Sequence, residues 1–67
     1  MSIGRNLTML MYDKGVTQGE VAKAVGISKT SISYAMNGRV IPKAETLVKL
    51  ASYFGVTVDA LLKEVSQ

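Results

Sequence analysis

A three-residue word, glycine then an apolar residue then a hydroxyl residue, occurs three times in this chain. It reads Gly15-Val16-Thr17, Gly26-Ile27-Ser28 and Gly55-Val56-Thr57. Glycine takes the left-handed conformation that closes a helix, and Ser or Thr accepts from the free amides that open the next. The apolar residue between them meets the fourth position of the following helix as a hydrophobic staple. That position holds Val21, Ile32 and Leu61. Thr17 also has Glu20 three residues on, the pairing of a capping box. A chain punctuated in this way folds as short helices joined by tight turns, so the fold class is all-α.

Apolar spacing agrees. Ile3, Leu7, Leu10 and Met11 stripe a first helix that ends near Lys14-Gly15. Val21, Ala22 and Val25 line a second over residues 18–25. Ile32, Ala35 and Met36 line a third over residues 29–36, stopped by Asn37-Gly38. A loop over residues 39–43 holds the only proline, Pro42. Leu47, Leu50, Ala51 and Phe54 line a fourth helix ended by Gly55. Val58, Leu61, Leu62 and Val65 line a fifth that frays into Ser66-Gln67. Gly4 and Gly19 fall inside helices, where each costs up to about 1 kcal/mol against alanine.

With 67 residues there is material for one domain, residues 1–67, and no second core. The chain contains neither Cys nor His, which excludes a disulfide framework, a Cys/His zinc site and a nucleophile with an imidazole partner. The five acids are dispersed, so no acid/base pair assembles and an enzyme is excluded; neither metal nor cofactor is expected. The longest apolar run is Met9 to Tyr12, too short for a membrane span or a signal-peptide core, and the expected compartment is the cytoplasm. Lys29, Arg39, Lys43 and Lys49, opposed by Glu45 alone, carry the whole net charge of +3. A basic middle hints at a polyanionic partner.

Two helices of about two turns joined at Gly26 cannot lie antiparallel and must cross steeply, as in a helix-turn-helix. Ala22 is small where they meet, and Ile32 pins the third helix to the second. Residues 18–37 resemble the DNA-binding helix-turn-helix. With one helix before it and two after, the chain resembles the Cro/C1-type family of phage repressors and small bacterial regulators over nearly all of residues 3–63. The telling parts are Thr17-Gln18-x-Glu20-x-Ala22, Gly26-Ile27-Ser28, the Asn37-Gly38-Arg39 stop, and Leu50-Ala51 leading to Gly55-Val56-Thr57-Val58-Asp59-x-Leu61-Leu62. Two residues depart from the family: Met36 where Glu is frequent, and Lys43 where a Ser often caps the fourth helix.

If Ile32, Ala35 and Met36 face inward, then Lys29, Thr30, Ser33 and Tyr34 face outward without an acid among them. A major groove admits such a helix. Lys29 suits guanine, Thr30 a base or a thymine methyl, and Tyr34 a reach further along the groove; the resemblance implies that these positions read bases. It also implies that Gln18, opening the second helix, holds a backbone phosphate. Ser28 caps the third helix, and Ser28, Ser31, Asn37, Arg39 and Lys43 flank the reading face as phosphate neighbours. For each, an ordinary solvated or capping role is the alternative.

The resemblance implies a transcriptional regulator of double-stranded DNA, a repressor that occupies a pseudo-palindromic operator as a homodimer. Its expected two-fold contact is Val56, Val58 and Leu62, with Phe54 either joining them or filling the core. The chain reads as a complete small repressor or as the first domain of a larger one. The competing reading is a protein-interaction module of the same fold, an antirepressor or an antitoxin, which has no need of a basic, acid-free third helix.

Overall fold

A computed structural model describes residues 3–63; Val65, expected on the last helix, lies outside the described residues. Those residues form five helices and no strand. They are α1 (Ile3–Lys14), α2 (Gln18–Val25), α3 (Lys29–Met36), α4 (Ala44–Phe54) and α5 (Val58–Leu62).

The three junctions share one construction. Gly15, Gly26 and Gly55 have φ of 74°, 82° and 70°, and the amide of the following apolar residue reaches back to the helix. Val16 N–H donates to Met11 O at 3.1 Å, Ile27 N–H to Ala22 O at 3.0 Å and Val56 N–H to Ala51 O at 2.9 Å, the Schellman closure. The hydroxyls then open the next helix. Thr17 accepts from Glu20 N–H while the Glu20 carboxylate accepts from Thr17 N–H, a complete capping box. Ser28 accepts from Ser31 N–H at 3.1 Å and Thr57 from Ala60 N–H at 3.0 Å. Val21, Ile32 and Leu61, the staple partners, are fully buried. A fourth closure at Gly38, with Arg39 N–H donating to Tyr34 O at 3.0 Å, opens into the loop instead of a helix. Lys43 follows that loop and supplies no side-chain cap to α4.

One core joins the helices: Ile3, Leu7 and Met11 from α1, Val21, Ala22 and Val25 from α2, Ile32 and Ala35 from α3, Leu47, Leu50 and Ala51 from α4, and Leu61 from α5. Each large side chain removed from water there contributes about 1.5–3 kcal/mol. Met36, Phe54, Val56, Val58 and Leu62 are half-buried against this core. Phe54 meets Tyr53 edge to face with centroids 4.9 Å apart, and the Lys14 ammonium lies 5.0 Å above the Tyr53 ring. That contact ties the end of α1 to the end of α4.

Two α1 residues do more than their helix needs. Gly4 is a requirement of packing and not, as its position in a helix suggests, a simple propensity cost. A Cβ there would overlap the Met36 carbonyl at the end of α3. Gly19 has nothing closer than Thr17 Oγ1 at 3.8 Å, so its cost is of the expected kind. Asn6 Nδ2 donates to Leu61 O at 2.7 Å and Lys63 O at 2.8 Å, with Ala60 O at 3.3 Å. It thereby satisfies carbonyls that the end of α5 leaves free.

The two glycines should respond to alanine with opposite signs in thermal unfolding. Gly4→Ala is expected to destabilise by about 1–3 kcal/mol through overpacking, and Gly19→Ala to stabilise by up to about 1 kcal/mol. Asn6→Ala should lower stability by about 1–2 kcal/mol through the lost bonds to α5, measured by urea unfolding.

Candidate nucleic-acid interface

α3 is eight residues long, and its two faces divide as the spacing of its apolar residues requires. Ile32 and Ala35 are buried and Met36 half-buried, which turns Lys29, Thr30 and Tyr34 to solvent. Tyr34 leaves 47% of its surface exposed. The outward face is therefore one ammonium, one hydroxyl and one phenol, with no carboxylate among the helix's own residues.

Ser33 lies at the margin of this face. It is half-buried, and its Oγ accepts from Asn37 Nδ2 at 3.4 Å. Ser31 is exposed, and its hydroxyl is hydrogen-bonded to that of Ser28 at 2.9 Å. Ser28 thus holds both the amide and the hydroxyl of Ser31, which makes its capping role a geometric fact. Among the described residues, Ser31 and Asn37 are engaged within α3 and its cap, whereas Lys29 and Thr30 project freely as its first turn.

The elements around α3 bring up the remaining candidates. Gln18 opens α2 and is half-buried; the free first-turn amides and the positive end of the helix dipole lie beside it. In the same turn the Glu20 carboxylate is bound to the Thr17 amide at 2.9 Å, so it is held at the cap. Arg39 and Lys43 are exposed at the two ends of the loop that follows α3. α2 packs directly on α3, and Lys43 lines the same groove as Tyr34 of α3.

The sequence reading did not single out a groove between α3 and the loop. It encloses about 350 Å3 and is lined by Ile27, Ser31, Tyr34, residues 40–43, Glu45 and Thr46. Val40 and Ile41 are exposed in it to 53% and 49%. Two adjacent apolar residues in a proline-containing loop, outside every helical stripe, were the signal in the sequence. By contrast Val56, Val58 and Leu62 put part of their surface against the chain's own core, and the larger exposed apolar side chains on helices other than α3 are Met9, Tyr12 and Val48. No helix of the described residues is long and apolar enough to cross a membrane.

Known proteins share this arrangement. The helix-turn-helix family model matches residues 10–61. The ImmF control region 10 kDa protein of Bacillus phage phi105 is 36% identical over 62 residues, which span 87% of this chain and 69% of that protein. The cryptic phage CTXphi transcriptional repressor RstR of Vibrio cholerae is 33% identical over 55 residues, 82% of this chain and 50% of that one. The transcriptional activator BcrR of Enterococcus faecalis is 34% identical over 62 residues, 92% of this chain. The chain spans 30% of BcrR's length. A crystal structure of a transcriptional regulator from Listeria innocua superposes with a TM-score of 0.84 at 28% identity, over 97% of this chain and 61% of that one. The sequence pattern is thus shared with phage proteins and regulators of transcription, the fold with a regulator of transcription, and the chain belongs to the Cro/C1-type helix-turn-helix family.

Proposed function

We propose that this chain is a sequence-specific regulator of transcription that binds double-stranded DNA by laying α3 in the major groove. The observation that carries this is the outward face of α3: Lys29, Thr30 and Tyr34 exposed on a capped helix without an acid among its residues. Lys29 donates to the O6 or N7 of guanine, Thr30 meets a base edge or a thymine methyl, and Tyr34 reaches further along the groove with ring and hydroxyl. Ser33, at the margin, retains its O–H as a donor for a neighbouring base.

Phosphate contacts position the domain. Gln18 binds one phosphate at the start of α2. Ser28, Ser31 and Asn37 lie along the cap and end of α3, and Arg39 and Lys43 supply cations on the loop; these contacts fix register without reading sequence. One helix in one groove buries too little for selective binding at cellular salt. A homodimer through α5, with Val56, Val58 and Leu62 at the two-fold, places two copies of α3 on half-sites of a pseudo-palindrome about 34–36 Å apart. Repression follows when such an operator overlaps a promoter and excludes polymerase. The site of action is the cytoplasm, where bacterial and phage operators lie, and residues 1–67 act as one DNA-binding unit.

Selection of bound duplexes from a random pool at about 150 mM salt, a concentration that already weakens non-specific binding by reducing the gain from counterion release, tests the reading. An enriched pseudo-palindrome is the expected result. No enrichment by a folded, helical protein would favour a module that binds a protein partner. On the enriched duplex, Lys29→Ala should cost about 1–3 kcal/mol and relax preference at one base position; equal weakening on every sequence would make Lys29 a phosphate contact. The two roles of Ser28 are separable. Ser28→Ala should lower stability by about 1 kcal/mol through the lost cap. Ser28→Asp keeps the cap and the melting temperature but weakens binding to every duplex by about tenfold or more, because it sets a carboxylate against phosphate.

A further inference from the structure

The groove beside α3 has an apolar wall that the polar account of the interface leaves unused. Tyr34, Val40 and Ile41 each leave about half of their surface in water, at 47%, 53% and 49%, with Ile27 and Pro42 beside them in the lining. Tyr34 belongs both to this wall and to the outward face of α3, so the wall continues the face. Arg39 and Lys43 bracket Val40 and Ile41 along the chain, and Lys43 lines the groove. Glu45 also lines it, in the first turn of α4, where the positive helix end favours a carboxylate. A polyanion is therefore drawn to the loop ends. The duplex is a polyanion that also displays an apolar group in its major groove, the C5 methyl of thymine.

We propose that the Tyr34, Val40 and Ile41 wall reads thymine methyl groups beside the bases met by Lys29 and Thr30. This adds an apolar readout from the loop to the polar one from α3. The inference rests on the DNA-binding reading above and deepens it, because it names the chemical group that the loop recognises.

The test removes the methyl alone. Duplexes enriched from the random pool are remade with deoxyuridine in place of each thymine in turn, which leaves base pairing intact. Wild-type binding should weaken about three- to five-fold at one or two thymines of each half-site, the fold-change of losing one buried methyl. The double variant Val40→Ser/Ile41→Ser should keep its melting temperature and its preference at the base read by Lys29. It should no longer distinguish thymine from uracil at those positions.

An enriched duplex indifferent to methyl removal in the wild type overturns the inference and leaves the regulator reading intact. Methyl sensitivity that survives in the double variant also overturns a readout by the loop, and assigns the methyl to Thr30 or Tyr34 of α3. A variant weakened equally on thymine and uracil duplexes, and monomeric where the wild type is dimeric, would make the wall a contact between copies and overturn it too. No enriched duplex at all would fail the regulator reading and this inference with it.

Discussion

A helix of eight residues makes too few internal hydrogen bonds to hold its own direction in water, so α3 points where its neighbours seat it. Three contacts do the seating. Ser28 fixes the first turn, Ile32 and Ala35 sink into the core in the middle, and the end of the helix rests on the backbone of α1 at Gly4. The last contact tolerates no side chain, because the Met36 carbonyl occupies the space that a Cβ would need. A helix held at both ends and along one side presents its opposite face at a fixed angle. On the proposed reading, that preorganisation lowers the ordering cost of binding DNA.

The junctions were legible because their chemistry is local. A glycine, an apolar residue and a hydroxyl within three positions determine closure, staple and cap together, and the helix ends at Lys14, Val25 and Phe54 follow from them. The outward face of α3 was legible for the same reason, since buried Ile32 and Ala35 dictate where Lys29, Thr30 and Tyr34 go. Gly4 and Asn6 were not, because their partners lie elsewhere in the sequence. Gly4 looks like any helix-interior glycine until α3 is laid against it, and Asn6 finds Leu61 55 positions away. Ser31 and Ser33 were legible as positions on a helix but not as hydroxyls engaged by Ser28 and Asn37. Rotamers decide that, and spacing cannot.

Two members of the same fold, one named a repressor and one an activator, match this chain at similar identity. The physics of the interface explains why that difference is not written in the domain. Groove contacts set which sequence is occupied, and occupancy blocks or assists polymerase according to where that sequence lies. What the domain encodes, on the proposed reading, is discrimination: a cation and hydroxyls for base edges, an apolar wall beside them, and loop cations for phosphate. These respond differently to salt, since counterion release acts on the phosphate contacts and leaves a buried methyl contact nearly untouched.

α1 holds both α3 and α5 in place. Gly4 seats the end of α3, and Asn6, two residues further along the same helix, holds the end of α5 through three carbonyls. α5 is five residues long and no more able than α3 to set its own direction, so Thr57 at one end and Asn6 at the other do it. In the proposed dimer the two-fold contact lies on α5 and the reading face on α3. The distance between half-sites then depends on the angle between those helices, and α1 fixes that angle through neighbouring turns of one rigid element. In that proposed dimer, a change at Gly4 or Asn6 would therefore act on half-site spacing.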